Sequence, residues 1–269
     1  REMEAQATEG SGGERAPHRI VTPGPEHWVG DGFWVRTLFS PGPDAAELSP
    51  FLLLDHAARR YFAPSDRRRG IGEHPHRGFE TVTFAFAGAI EHRDSGGGGG
   101  RIKAGDVQWM TAGSGLVHEE LHSRPFSERG GDLEMVQLWV NLPATKKMSP
   151  PRYQSLPDGD FPRLRRGPAK LRLIAGTLDG QQGPAQTHTP ITIADLRFVE
   201  DGPADLALPA RWTTLACVLA GHVAAGEERG KIAPRSVAFF DRGSHVSLRG
   251  SEGAHVLLLS GEPLGEPIA

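Results

Sequence analysis

The feature of this chain that most constrains its fold is an internal repeat with a constant spacing. Segment 101–113 recurs 130 residues later as segment 231–243, and Ile102, Val107 and Gly113 are matched by the same residue types in the second copy. A repeated unit made of a hairpin, a strand and a turn accounts for such a match, and the alternative is a chance alignment in a glycine-rich chain. The repeat predicts two similar halves.

Both halves are predicted to consist of β-strands. The 35 glycines and 22 prolines follow no collagen-like period and separate short apolar runs, which is typical of many strands joined by turns. The runs are 33–39, 51–54, 79–87, 106–110 and 134–142, and then 171–175, 191–198, 213–220, 235–240 and 254–260. We therefore predict an all-β chain with a disordered tail at 1–17, a first barrel at 18–145, and a second barrel at 146–269 that begins with a proline-rich linker.

Charge and cysteine content argue against several classes of protein. The net charge is −3 and no basic domain stands out, so direct binding to nucleic acid is not expected. The arginine clusters 67–69 and 163–166 are typical of solvated loops. No run of about 18 apolar residues occurs, so no membrane span is expected. The one cysteine, Cys217, lies in an apolar run and can form no intrachain disulfide, which favours a buried core thiol and a reducing, cytoplasmic location.

Two pairs of side chains have the spacing of metal ligands. Residues i and i+2 of an extended strand point to the same face, so His74 projects with His76, and His118 with Glu120. Pro75 lacks an N–H group, which places this stretch at a sheet edge or a strand start. On neighbouring strands the two pairs would supply three imidazole nitrogens and one carboxylate, a set suited to Fe(II), Mn, Ni, Cu or Zn rather than Ca or Mg. Solvated strand histidines are the alternative for either pair alone.

Five sequence blocks are specific enough to compare with known families: 51–56 (FLLLDH), 74–81 (HPHRGFET), 105–113 (GDVQWMTAG), 137–143 (QLWVNLP) and 147–154 (KMSPPRYQ). Together they resemble the pirin family of the cupin superfamily. The resemblance implies a bicupin of two antiparallel barrels. It also implies that the first barrel binds one metal ion, typically iron, through His74, His76, His118 and Glu120. The general cupin pattern would instead choose Glu80, which we keep as an alternative ligand or as a residue behind the ligands.

The repeat predicts that the second barrel is structural and metal-free. It places Leu248 and Gly250 opposite His118 and Glu120, and neither residue can bind an ion through its side chain. The other histidines have no partner at ligand spacing, and we expect them at the surface, in turns or behind the ligands; they include His56, His92, His122, His188, His222, His245 and His255.

The resemblance also implies a function, because some pirin-like proteins open flavonols such as quercetin with O2 and release carbon monoxide. Glu120 is then the catalytic base by analogy, and an apolar pocket wall is expected from Phe79, Phe84, Trp109 and Met110, for which plain barrel core is the alternative. Other pirin-like proteins are non-catalytic, redox-sensitive regulators that bind a transcription factor or a metabolic enzyme. Charged loops such as 67–69 would then contact the partner. A metal that only stabilises the fold is a third alternative.

Overall fold

The computed structural model of the chain describes residues 13–42, 45–226 and 230–268. The strands of the first half are β1 (Pro17–Val21), β2 (His27–Val29), β3 (Phe33–Phe39), β4 (Phe51–Phe62), β5 (Gly70–His76), β6 (Phe79–Ala87), β7 (Ala89–Asp94), β8 (Gly99–Lys103), β9 (Val107–Thr111), β10 (Leu116–His122), β11 (Gly131–Asn141) and β12 (Arg152–Leu156). Those of the second half are β13 (Arg163–Arg166), β14 (Ala169–Ala175), β15 (Thr177–Leu178), β16 (Gln181–Gln182), β17 (Ile191–Phe198), β18 (Gly202–Ala207), β19 (Thr213–Ala220), β20 (Val223–Ala225), β21 (Gly230–Ile232), β22 (Ser236–Phe240), β23 (His245–Gly250) and β24 (His255–Gly261).

Helices are few and short. The two α-helices are α1 (Ala45–Leu48) and α2 (Arg124–Arg129), and 3₁₀ turns span Ala144–Lys146 and Asp158–Asp160. Within the described part of the chain, no helix has the length and apolar character needed to cross a membrane.

Each half folds mainly into two antiparallel sheets, one of seven strands and one of four, and β15 and β16 of the second half form a separate two-stranded sheet. The sheets of the first half have the orders β12-β9-β6-β11-β4-β3-β2 and β5-β10-β7-β8. Those of the second half have the orders β1-β22-β19-β24-β17-β14-β13 and β18-β23-β20-β21. Position by position the second pair of sheets repeats the first, which is the structural counterpart of the sequence repeat. The predicted all-β fold of two antiparallel barrels is confirmed.

The two barrels exchange one edge strand each. Strand β1, which precedes the first barrel in sequence, pairs with β22 of the second barrel, whereas β12, which follows the first barrel, pairs with β9 of that same barrel. The barrel limits 18–145 and 146–269 stay a prediction, and β1 and β12 each lie in the barrel opposite to the one that these limits would give them. Separation in sequence does not prevent this pairing, because a strand needs only an open edge.

Part of the predicted tail is packed against the second barrel. Residues 1–12 lie outside the described residues, but for 13–17 the structure differs from the predicted disorder. Arg15 is fully buried, and its guanidinium donates hydrogen bonds to the main-chain oxygens of Pro209 and Trp212. An arginine guanidinium has five N–H donors in a fixed geometry and can bond several carbonyl groups at once. These hydrogen bonds of Arg15 hold segment 13–17 in place, although the segment has no apolar pattern.

The largest apolar core lies between the two seven-stranded sheets. It includes Phe84 on β6 and Trp109 on β9 from the first barrel, and Cys217 on β19 and Phe239 on β22 from the second. Burial of one large apolar side chain contributes about 1.5–3 kcal/mol, so this shared core joins the barrels firmly. Cys217 is the buried core thiol that the sequence predicted, and burial raises the pKa of its thiol well above the usual range.

The interiors of the two barrels differ in character. The second barrel is filled by an apolar cluster that includes Leu248, and a side chain at Gly250 would collide with the ring of Phe198. The first barrel has smaller apolar clusters, one with Phe33 and Ile90 and another with Met110 and Leu116. Polar groups in its interior form the site described next.

Candidate metal centre

Two neighbouring strands of the first barrel bring the predicted ligands together. His74 and His76 lie on β5, and His118 and Glu120 lie on β10, which pairs antiparallel with β5 so that His118 is directly opposite His74. Strand β5 is the edge of its sheet, which agrees with the position predicted from Pro75. The register shifts between His118 and Glu120, and such an irregularity re-aims a side chain relative to a regular strand.

The three imidazole rings face one another. Ring centroids are 4.7 Å apart for His74 and His76, 4.4 Å for His74 and His118, and 4.9 Å for His76 and His118. One nitrogen from each ring lies within 4.8 Å of the other two, and a second group with the same limit consists of His92, His118 and Glu120. Both groups share His118, so one ion between them could be reached by all of these side chains.

Unpaired nitrogens at the site fit a metal ion. The Nδ1 atom of His74 is 2.8 Å from the main-chain oxygen of Gly72, which leaves Nε2 free to face its neighbours. The Nε2 atoms of His76 and His118 are buried without a hydrogen-bond partner in the described structure. Buried polar atoms are nearly always paired, so nitrogen atoms in this state, next to a carboxylate, are what a divalent transition metal would satisfy.

The electrostatics of the site keep the imidazoles of His76 and His118 neutral. Burial, followed by the neighbouring histidines, lowers the pKa of His118 to about 2 and that of His76 to about 4. A neutral imidazole is the form that binds metals. Burial raises the pKa of Glu120 to about 7, against a hydrogen bond from Gln137 that lowers it. A bound cation would favour the carboxylate form of Glu120.

His92 is a member of the site that the spacing of ligands did not identify. It lies on β7 opposite Glu120, its side chain is 2% exposed, and its Nδ1 is 3.2 Å from Oε1 of Glu120. Burial, then the neighbouring imidazole of His74, lowers the pKa of His92 to about 3. The alternation with buried Ile90 two residues earlier in β7 is the sequence signal that places His92 inside the barrel.

Three more of the remaining histidines are buried rather than at the surface. His56 and His255 lie between the barrels, 3.9 Å from Glu134 and 2.6 Å from Asp195 respectively. His122 lies beside an apolar cluster of the first barrel, where its ring packs against Phe62. The hydrogen bonds of His122 with the main-chain oxygen of Gly32 and of His255 with Asp195 offset the cost of burying these two rings.

Glu80 lies outside both groups of candidate ligands, and its role as an alternative ligand or as a residue behind the ligands stays a prediction. Its carboxylate points to the opposite face of β6, where it accepts a 2.6 Å hydrogen bond from Thr111 and lies 3.8 Å from His188. Even spacing from His74 suggested a shared face, but β5 and β6 belong to different sheets. The turn at Gly78, with a φ of 78°, breaks the alternation between them.

An open cavity adjoins the histidines. Its volume is about 370 Å³, which is in the range of small-molecule sites. Aromatic and aliphatic side chains form most of the wall, and the polar groups of Asp55, Arg77, Glu120 and Gln137 complete it beside the histidines. The apolar members are Val29, Phe33, Val35, Ile71, Pro75, Phe79, Met135 and Trp139. The rings of Phe79 and Trp139 are 4.5 Å apart, and Trp139 lies 5.4 Å from the ring of His76.

Of the four predicted wall residues, one lines this cavity. Phe79 does, whereas Phe84 and Trp109 point to the opposite face of the sheet and pack between the barrels. Met110 faces the interior but packs beside Tyr153 in a separate small cluster. Trp139 also lines the cavity and was not predicted to do so. It follows Leu138 in β11, and since Leu138 packs between the barrels, Trp139 points to the opposite face, into the cavity.

Comparison with known proteins identifies the family. The family model described as Pirin matches residues 33–140, and the Pirin C-terminal cupin domain matches residues 193–269. A Pseudomonas aeruginosa protein, provisionally named a quercetin 2,3-dioxygenase, is 52% identical over 247 residues, which cover 90% of this chain and 85% of that protein. The chain belongs to the pirin family. Human pirin is 33% identical over 244 residues, which cover 88% of this chain and 80% of that protein.

Solved pirin-like structures have the same fold. The crystal structure of a quercetin 2,3-dioxygenase from Acinetobacter baumannii superposes with a TM-score of 0.93 at 45% identity, and the match covers 96% of this chain and 90% of that chain. The family resemblance predicted from the five sequence blocks is thus confirmed, as is the pairing of two cupin domains.

Proposed function

We propose that this pirin-family protein is a metal-dependent oxygenase that opens the ring of a flavonol-type aromatic with O2. The observation that carries the proposal is the open, aromatic-lined cavity directly beside His74, His76 and Glu120. A metal that only stabilised a fold would need no such cavity. The quercetin 2,3-dioxygenase names of relatives that align over most of this chain support the same substrate class.

The proposed metal ligands are His74, His76, His118 and Glu120, and Fe(II) is the proposed ion, with Mn, Ni, Cu or Zn as alternatives. When bound, the ion would supply Lewis acidity and open coordination positions towards the cavity. Three imidazoles and one carboxylate would hold the ion and need not fill its coordination sphere. His92 would lie behind this set and contact Glu120, which is the usual role of a group that orients a ligand.

The residues of the chain would bind, orient and deprotonate the substrate. Phe79 and Trp139 contact each other and form an apolar wall against which a planar aromatic ring would pack away from water. Glu120 is the proposed acceptor for the proton of the enolic hydroxyl. Gln137 donates to Glu120 from 3.3 Å and is itself held by a 2.6 Å hydrogen bond from Thr83, so the carboxylate is aimed before the substrate arrives.

The alternative function, a non-catalytic regulator, finds less support in the geometry. The arginine cluster 67–69 was the predicted partner contact, but its members are engaged within the chain. Arg67 pairs with Asp31, Arg68 bonds Glu91 and the main-chain oxygen of His122, and Arg69 stacks over Phe62. A regulator also has no need of a cavity that opens on the ligand group.

The test is turnover of quercetin. Protein loaded anaerobically with Fe(II) is mixed with quercetin and O2, and loss of the flavonol absorbance and release of carbon monoxide are followed together. His118→Ala is the inactive control, and Glu80→Gln is the matched control for a nearby carboxylate outside the ligand group. We expect turnover by the wild type and by Glu80→Gln only. Equal rates for the wild type and His118→Ala would refute the oxygenase for this substrate.

A further inference from the structure

A row of polar side chains crosses the inner face of the first barrel's large sheet. Successive register partners on β3, β4, β11, β6 and β9 are Thr37, Asp55, Gln137, Thr83 and Gln108. Residues directly opposite each other in adjacent strands point to the same side of a sheet. The row therefore runs across the wall of the barrel that faces the histidines.

The second barrel provides an internal comparison for this row. The equivalent register partners, on β14, β17, β24, β19 and β22, are Leu173, Ala194, Leu258, Ala216 and Ala238. All five are at most 1% exposed and belong to the apolar cluster of that barrel. The same sheet geometry is thus built in one chain without any polar group at these positions, and the fold itself does not require the polar row.

Polar groups inside a barrel cost stability unless they are hydrogen-bonded. Gln137 is satisfied, because it accepts from Thr83 and donates to Glu120. Asp55 is only partly satisfied: its Oδ1 accepts a 2.6 Å hydrogen bond from Thr37, and no described residue donates to its Oδ2. Asp55 is half-buried and lines the open cavity, so its Oδ2 is available to a bound ligand.

The position of Asp55 defines that role. It lines the same cavity as His74, Glu120 and Trp139, on strand β4, one strand further along than Gln137. Glu120 and Asp55 therefore present two separate carboxylates to the same cavity. Beyond Asp55 the cavity continues to Val35 on β3.

We propose that Asp55 is a second polar anchor of the cavity and accepts a hydrogen bond from a hydroxyl of the ligand that is remote from the metal group. The ligand class is then a polyhydroxylated planar aromatic, not a singly hydroxylated one. Thr37 is a positioning residue that holds Oδ1 and leaves Oδ2 for the ligand. The inference rests on the proposed function only in that the substrate occupies this cavity, and it assigns the selectivity of the site to a residue outside the ligand group.

The test is a comparison of two probes in a binding experiment that needs no turnover. Quercetin carries hydroxyls on all of its rings, whereas 3-hydroxyflavone carries only the one beside the carbonyl group. Protein loaded with redox-inert Zn(II) is titrated anaerobically with each probe, and quenching of tryptophan fluorescence gives Kd. The variants are Asp55→Ala, which copies the residue found at the equivalent position of the second barrel, and Asp55→Asn, which keeps the shape. Asp132→Ala, an exposed aspartate on β11, is the matched control.

Loss of one charge-assisted hydrogen bond should weaken quercetin binding about tenfold in Asp55→Ala. Binding of 3-hydroxyflavone should change by less than about twofold, and Asp132→Ala should match the wild type for both probes. Equal losses for both probes, or no loss for either, would overturn the proposal. If Asp55→Ala does not fold, the same contrast is required of Asp55→Asn.

The outcomes separate this inference from the oxygenase function. If quercetin binding depends on Asp55 and is selective, but the Fe(II) protein does not consume quercetin, the role of Asp55 is supported and the oxygenase function is refuted. If the Fe(II) protein consumes quercetin but Asp55→Ala affects both probes equally, the oxygenase function is supported and the role of Asp55 is refuted. No binding of quercetin by the wild type would overturn both.

Discussion

Replacement of Glu80 by glutamine should stabilise the protein at neutral and alkaline pH and leave the metal site intact. Glu80 is 1% exposed, and burial, against a hydrogen bond from Thr111, raises its pKa from 4.5 to about 7. The folded state therefore binds a proton more tightly than the unfolded state between these pH values, and stability falls as pH rises through this range.

The size of the effect follows from the same shift. At 1.36 kcal/mol for each pKa unit, a rise from 4.5 to about 7 corresponds to roughly 3 kcal/mol of lost stability above pH 7. His188 does not offset this loss, because burial, then Arg152, lowers its pKa and keeps it neutral. Glutamine can still accept the hydrogen bond from Thr111 and carries no charge, so Glu80→Gln should recover up to about this amount.

Urea unfolding followed by tryptophan fluorescence at several pH values from 4 to 8 measures the difference. The curves of the wild type and Glu80→Gln should coincide near pH 4, where the glutamate is protonated in both states, and separate progressively up to about pH 7. Elemental analysis should find the same metal content in both proteins. A difference that is constant with pH would refute the buried-carboxyl argument, and a loss of metal would return Glu80 to the ligand group.

Three further outcomes follow from the placement of individual residues. His118→Ala should lose metal by elemental analysis, because His118 belongs to both candidate ligand groups, and retained stoichiometric metal would contradict this. Trp109→Ala should lower the free energy of unfolding by about 3–5 kcal/mol without changing metal content, since its ring packs between the barrels; a changed Kd for quercetin with unchanged stability would place it in the cavity wall instead. Asp195→Asn should cost roughly 3–5 kcal/mol at pH 7, because it leaves Arg172 and His255 without their buried partner. Since His255, then Arg172, lowers the pKa of Asp195 well below its usual range, the advantage of the wild type should be present above about pH 4 and vanish as pH falls further; urea unfolding at pH 7 and pH 3 checks this, and an undiminished difference at pH 3 would speak against it.

Much of the fold was predictable because it depends on local periodicity. Alternation of apolar residues and the glycine-rich turns indicated strands, and the 130-residue spacing indicated that the set of strands occurs twice. Pairing across the whole chain is not a local property. The exchange of β1 and β12 between barrels depends on which sheet edges are open in the folded molecule. The residues of these two strands do not indicate which edge each strand joins.

The same distinction holds for the candidate site. The pairs His74 with His76 and His118 with Glu120 were predictable from spacing, because a single strand fixes the direction of residues two apart. The position of Glu80 relative to His74 was not predictable from spacing, because a turn at Gly78 and a change of sheet lie between the two residues. His92 was missed for a similar reason, because its approach to Glu120 is made across strands.

The amino-acid sequence by itself determined which side chains share a face within one strand, and therefore the two ligand pairs, the repeat and the buried thiol. Only the tertiary structure decided which face of each sheet became the cavity and which became the contact between the barrels. Trp109 and Trp139 illustrate this, since both are aromatic strand residues, yet one packs between the barrels and the other lines the cavity. The physical reason is that both faces of a seven-stranded sheet are covered here, so apolar character alone does not distinguish them.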